Sequence, residues 1–200
     1  STDEVYGDIV EGSHTEESPL APSNPYSASK ASSDMLIKAW ARTYGIDYLI
    51  LRPTNNYGTY QYPEKLIPLV VKLLQQGRKI RLHNGGEPYR NWLHASDTAS
   101  AVIKIIESGA VNEIFNVAGG FEQKNYDTVC KIVNSYYNGR HDKEYVGCND
   151  LLDLSYERKG QDVRYAVDDT KLRNLGWKPE KSFDQEIDHI VEHFKNHFRW

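Results

Sequence analysis

Ser1-Thr2-Asp3-Glu4-Val5-Tyr6-Gly7, followed by Asn24-Pro25-Tyr26-Ser27-Ala28-Ser29-Lys30, decides how the rest of this chain is read. The first stretch sets two carboxyls side by side. The second puts a Tyr and a Lys four residues apart at the start of a helix, where they share one face about one turn from each other. An ammonium so placed lowers the pKa of the phenol and fits Tyr26 to act as a base. The spacing alone is weak evidence: in a chain with 14 Tyr, roughly one Tyr-x-x-x-Lys arises by chance, so its weight comes from its surroundings.

Outward from this pair, residues 11–25 contain Gly, Ser, Thr, Asn and three prolines, which is loop chemistry leading to a helix start near Tyr26. Ala28, Ala31, Met35, Leu36, Trp40 and Tyr44 recur at helical spacing, and Gly45 ends the run. Tyr48 to Leu51 is expected to be a buried strand that delivers Asn55-Asn56-Tyr57-Gly58 at its carboxyl end. Helix is then expected over residues 63–76, strand over 79–83, helix from a Ser96-Asp97 cap to about Ile106, strand over 113–117, and helices over 126–137 and 184–198. Strand, helix and strand in this order predict an α/β fold on a parallel sheet. Ligands of such sheets gather outside the carboxyl ends of the strands, where Thr2-Asp3-Glu4 and Asn55-Asn56 would lie.

The net charge of −4 gives no basic field for nucleic acid or an anionic membrane, and neither is expected as a partner. The longest apolar run, residues 66–71, is far below spanning length, so a cytoplasmic address is the expectation. Cys130 and Cys148 lack metal-ligand spacing, and neither a disulfide framework nor a zinc site is expected of them. His189, His193 and His197 fall on one helical face, but without His-Glu-x-x-His they read as a solvated stripe, and no metal site is expected. No Gly-x-Gly-x-x-Gly occurs, so a pyrophosphate cradle is absent from these residues.

Both opening stretches, with Asn55-Asn56-Tyr57-Gly58, Pro63-Glu64-Lys65-Leu66-Ile67-Pro68, Arg90-Asn91-Trp92-Leu93 and Gly176-Trp177-Lys178-Pro179, resemble the nucleotide-diphosphate-glucose 4,6-dehydratases of the extended short-chain dehydrogenase/reductase superfamily. The resemblance covers almost the whole chain. It implies a partial Rossmann-type parallel sheet lacking its N-terminal half, so that the chain looks like a carboxy-terminal portion. Residues 1–58 and 91–118 would be the remainder of the dinucleotide-binding domain. Residues 59–90 and 119–200 would form a smaller mixed α/β substrate domain.

The same resemblance implies NAD as cofactor and assigns roles. Tyr26 would take the sugar 4-hydroxyl proton, with Lys30 lowering its pKa and holding the nicotinamide ribose, while Thr2 bonds that oxygen. Glu4 would take the C5 proton and Asp3 would protonate the departing 6-hydroxyl. Asn56 would lie near the nicotinamide, and Asn55, Lys65, Leu66, Arg90, Asn125 and Arg158 would hold the nucleotide diphospho-sugar. Two neighbouring carboxyls serve as acid and base only if their surroundings separate their pKa values. Adjacent strand residues also point to opposite faces, so the pleat is expected to break at Asp3-Glu4.

The chain departs from the family where Asp-Arg-Pro-Gly-His would stand, carrying Glu157-Arg158-Lys159-Gly160-Gln161, and where Pro-x-Tyr would stand, carrying Arg81-Leu82-His83. These positions border the nucleotide, so thymidine and uridine both stay open. Rival readings are a 4-epimerase or UDP-glucuronate decarboxylase of the same superfamily, and a non-catalytic nucleotide-sugar-binding or assembly segment. The Tyr26–Tyr44 helix resembles the one by which family members dimerise, which implies a homodimer.

Overall fold

The computed structural model describes residues 1–138, 147–157 and 162–197. In chain order its elements are a 3-10 turn over Asp3–Tyr6, α1 (Pro25–Tyr44), β1 (Leu49–Pro53), β2 (Asn55–Tyr57), α2 (Leu66–Gln75), β3 (Ile80–Arg81), β4 (Tyr89–His94), α3 (Ala95–Glu107), β5 (Glu113–Val117), β6 (Glu122–Lys124), α4 (Asn125–Asn138), β7 (Leu152–Asp153), α5 (Thr170–Arg173) and α6 (Phe183–His197). They group into two units. One comprises Ser1–Asn56, Arg90–Glu122 and Asp162–Glu180, the other Tyr57–Tyr89, Gln123–Gln161 and Lys181–Trp200.

In the first unit β1 pairs in parallel with β5, from Leu49 opposite Glu113 to Pro53 opposite Val117. One core joins Leu93, Ala101, Ile105, Phe115, Val117, Leu172 and Trp177; another packs Val5, Tyr6, Ala31, Ala118 and Val167. A polar network ties the pieces together. Arg52 on β1 pairs with Asp34 on α1 and donates to the Tyr6 hydroxyl at 2.7 Å, which donates to Asn116 Oδ1 on β5 at 2.8 Å. Each of these four side chains finds a partner in the others, which sets the register of helix, turn and strands. At Gly119 a Cβ would lie 1.9 Å from the Trp92 carbonyl oxygen, so only glycine allows that approach.

α1 begins as expected, with Asn24 and Ser27 forming a reciprocal capping box and Pro25 in the first turn, and it ends at Gly45 in the left-handed conformation. Its inward stripe differs from the apolar spacing. Ser27, Ala31 and Asp34 are the buried residues, whereas Met35, Leu36, Trp40 and Tyr44 are exposed. Small residues and one paired carboxylate allow close approach to the sheet. The large apolar side chains turn outward.

In the second unit α2, α4 and α6 each bury an apolar face, including Ile67, Val70 and Val71 of α2, Val129, Ile132 and Val133 of α4, and Ile187, Ile190 and Val191 of α6. β3 pairs in parallel with β7. α2 starts at Leu66 and not at Pro63 because of Pro68. A start at Leu66 leaves Pro68 at the third position, where no intrahelical N–H bond is lost; an earlier start would bring it into the interior. The strand expected over 79–83 shrinks to two residues, because the chain turns into a 3-10 segment at His83–Gly86 with Asn84 and Gly85 in left-handed geometry.

The cysteines overturn the expectation. Cys130 on α4 and Cys148 are joined as a disulfide, with Cα atoms 5.6 Å apart. A separation of 18 residues carries no sequence signal; tertiary placement brings the short helical turn Cys148–Leu151 against α4, where Tyr126 also donates to Asn149 at 2.8 Å. Among the described residues no group of His, Cys, Asp and Glu has metal-binding geometry, and no helix is long and apolar enough to cross a membrane. On α6, His193 stacks on His197 and meets the edge of Tyr60.

Candidate active site

The break at Asp3-Glu4 is present as a 3-10 turn. Thr2 is extended and caps it, accepting from the Glu4 N–H at 3.4 Å and donating its own hydrogen to Asp3 Oδ1 at 3.1 Å. Gly7 ends the turn at φ +83°, and a Cβ there would lie 2.3 Å from the Ala21 carbonyl oxygen. A continuing strand would send Asp3 and Glu4 to opposite faces; the turn separates them by about a third of a rotation instead.

Their environments differ sharply. Asp3 is 4% exposed, and its Oδ2 has no hydrogen-bond partner. Burial, with the neighbouring Glu4 charge second, pushes its pKa to about 7, against which the Thr2 hydrogen bond and the more distant Arg90 act weakly. Asp3 is therefore a carboxyl that carries a proton near neutrality, with an oxygen unengaged. Glu4 is half-buried, and its Oε2 lies 3.4 Å from the Tyr165 hydroxyl.

Tyr26, in the first turn of α1, is 56% exposed. Its pKa is raised by burial, then by Glu4, then by Asp3. That corrects the expected lowering by Lys30: two carboxyls act on the phenol in this unit, and Lys30 is not among the groups that do. Those electrostatic links put Tyr26 in the same neighbourhood as Asp3 and Glu4. Lys30, half-buried one turn along, makes no hydrogen bond or ion pair within 4 Å of a described residue.

Asn56 is held on β2, its Nδ2 donating to the Thr54 carbonyl at 3.0 Å and its Oδ1 accepting from Thr98 at 2.6 Å; Asn55 precedes it, half-buried. Arg90, 8% exposed, lies over the Tyr165 ring at 4.9 Å and donates to the Asp162 carbonyl oxygen at 3.2 Å. Thr2, Asp3, Glu4, Tyr26, Lys30, Asn55, Asn56 and Arg90 thus all belong to the first unit. Lys65, exposed beside Glu64 at 3.5 Å, precedes α2 without a side-chain capping bond; Leu66 opens that helix and Asn125 opens α4, all three in the second unit. Arg158 lies outside the described residues. Nothing local in the sequence points to Tyr165 and Asp162. They lie more than 150 residues beyond Glu4, and the parallel bridge of His14 to Val167, with backbone bonds from Ile9 and His14, brings their segment back to the opening turn.

A parallel α/β unit bearing a Tyr/Lys helix beside a buried acid and its neighbouring carboxylate is a Rossmann-type unit of the short-chain dehydrogenase kind. Residues 1–190 match the family described as GDP-mannose 4,6 dehydratase, and the chain belongs to that family. It is 40% identical to dTDP-glucose 4,6-dehydratase 1 of Escherichia coli K12, over all of this chain and 58% of that protein. It superposes on dTDP-glucose 4,6-dehydratase from Bacillus anthracis, crystallised with NAD, with a TM-score of 0.87 and 39% identity, covering 100% of this chain and 61% of that one. UDP-glucose 4-epimerase from Thermotoga maritima, solved with UDP-glucose, gives a TM-score of 0.83 at 26% identity, covering 100% of this chain and 63% of that one. The chain thus spans about three fifths of the length of these relatives.

Proposed function

We propose that the protein containing this chain removes water from a nucleotide-diphosphate-glucose, dTDP- or UDP-glucose, to give the 4-keto-6-deoxy sugar. The observation that carries this reading is Asp3: buried, pushed to about 7, with Oδ2 unpartnered, beside a second carboxyl in a more open setting. A 4-epimerase or decarboxylase has no use for an acid on the 6-hydroxyl. A dehydratase does.

NAD suits the nicotinamide end of the site, where Lys30 offers an ammonium with no hydrogen bond or ion pair to a described residue and Tyr26 an exposed phenol; when bound it would supply a hydride acceptor and a positive charge offsetting the carboxyls. Tyr26 takes the 4-hydroxyl proton. The 4-ketone so formed acidifies the C5 hydrogen, which passes to Glu4 as a proton. Asp3 gives its proton to the 6-oxygen, which leaves as water; the hydride taken from C4 would then be returned to C6 while Glu4 gives its proton back to C5, which completes the 4-keto-6-deoxy sugar. Lys65, Leu66 and Asn125 of the second unit, with Asn55, Arg90 and Arg158, are proposed to hold the nucleotide diphospho-sugar, the cations neutralising diphosphate charge. The exposed apolar side of α1, with Met35, Leu36, Trp40 and Tyr44, supports a homodimer.

The test is incubation of the complete protein with NAD and each nucleotide-glucose, followed by product identification by NMR. A 4-keto-6-deoxy sugar supports the proposal. A C4 epimer, a pentose from the glucuronate substrate, or binding without turnover would each overturn it in favour of the corresponding rival.

A further inference from the structure

The hydroxyl of Tyr165 stands between two carboxyls. It is within donating reach of both, closest to Asp162 Oδ2, with Glu4 Oε2 as the second acceptor at 3.4 Å. A phenol has one hydrogen and otherwise only lone pairs to offer. The phenol can serve Glu4 in both states: turned toward Glu4 it donates to the ionised carboxylate, and once Glu4 has gained a proton the array runs from Glu4 O–H to the Tyr165 oxygen and from Tyr165 O–H to the Asp162 carboxylate.

The surroundings hold this arrangement in place. Tyr165 is 4% exposed with the Arg90 guanidinium 4.9 Å above its ring, and Arg90 also donates to the Asp162 carbonyl. Asp162 Oδ2 accepts from Ser23 at 2.7 Å and Asn24 at 3.4 Å, which fixes it to the N-terminal cap of the helix that carries Tyr26. Backbone bonds from Ile9 to Arg164 at 3.2 Å and from His14 to Ala166 at 2.9 Å anchor the Tyr165 segment to the loop that follows the opening turn.

We propose that Tyr165, backed by Asp162, is a positioning residue for Glu4. It fixes the carboxyl and receives the hydrogen that Glu4 gains when the C5–H bond breaks. In that step the proton forms an O–H bond on Glu4, the electron pair left at C5 forms the C5–C6 double bond, and the 6-oxygen departs as water with the proton of Asp3. The inference rests on the dehydratase reading above.

The test is Tyr165→Phe in the complete protein, which removes only the hydroxyl and keeps the ring beneath Arg90. The expected result is a kcat lower by about 10- to 100-fold with KM changed less than about twofold, the size of one hydrogen bond to a charged or reacting group. Oxidation at C4, followed by the absorbance of reduced cofactor, should run at the wild-type rate, while exchange of the C5 hydrogen with heavy water slows in step with kcat. Asp162→Asn, which keeps shape and an acceptor, should move the same two readouts in the same direction by less. Wild-type C5 exchange in Tyr165→Phe overturns the inference. So does an equal fall in oxidation and exchange with a lowered Tm, which marks a structural role. If the wild-type protein makes no 4-keto-6-deoxy sugar, the dehydratase reading itself fails, and that result is separate because it needs no variant.

Discussion

Arg52 and Asp34 meet at 3.0 Å with their side chains 1% and 2% exposed, linking β1 to the helix that carries Tyr26. A pair so deeply buried adds little net stability when intact, because desolvation offsets the attraction, but removing one partner strands the other. Arg52→Ala leaves Asp34 uncompensated and takes the donor from Tyr6. Its unfolding free energy should fall by about 3 to 5 kcal/mol in urea titration, whereas Arg52→Met with Asp34→Leu should recover most of that loss. An unchanged midpoint for Arg52→Ala would show that the pair does not hold α1.

Asp3 sets stability and chemistry against each other. Its folded pKa, raised by burial from 3.8 to about 7, means the folded state binds this proton more tightly than the unfolded state. Its contribution is fully present below about pH 4 and is lost as pH rises through about 7. Asp3→Asn, which carries no charge, should match the wild type near pH 4 and exceed it in Tm at pH 8, while losing elimination of the 6-hydroxyl. Equal Tm values at pH 8 would mean Asp3 is not a buried acid.

The disulfide makes a separate claim on the second unit. Closing a loop of 18 residues is worth about 3 kcal/mol in the chain-entropy account. Cys130→Ser with Cys148→Ser should lower the urea midpoint correspondingly, with no added effect of reductant on the double variant. Reductant lowering the double variant as much as the wild type would contradict it.

Trp40, 57% exposed on the outward side of α1, is where a self-association surface should be most sensitive. Trp40→Glu should convert a dimer to a monomer in sedimentation velocity without lowering Tm. A wild-type monomer, or a variant dimer, would count against the homodimer.

Much of this was legible in the sequence where local chemistry decides. The proline-rich loop before Tyr26 and the Gly45 stop bounded α1, the apolar run before Arg52 marked β1, and Asp3-Glu4 announced a break because a regular pleat could not turn both inward. What was not legible depends on distant segments meeting. Nothing near Cys130 signals Cys148, no periodicity reveals that Arg52 needs Asp34, and Tyr165 reaches Glu4 only through pairing of the chain's far end with its opening loop. The inward side of α1 was not legible for a related reason: hydrophobicity ranks Met35 and Trp40 above Ser27 and Asp34, but close approach to the sheet favours small or specifically paired residues.

The most direct measurement is on Glu4→Gln in the complete protein, given NAD and nucleotide-glucose carrying deuterium at C5. If Glu4 is the base beside Tyr26, the 4-keto sugar and reduced cofactor should accumulate with the deuterium retained and no 6-deoxy product. Wild-type formation of 4-keto-6-deoxy sugar with loss of the C5 label would contradict the shared role of these carboxyls and the phenol on one ring.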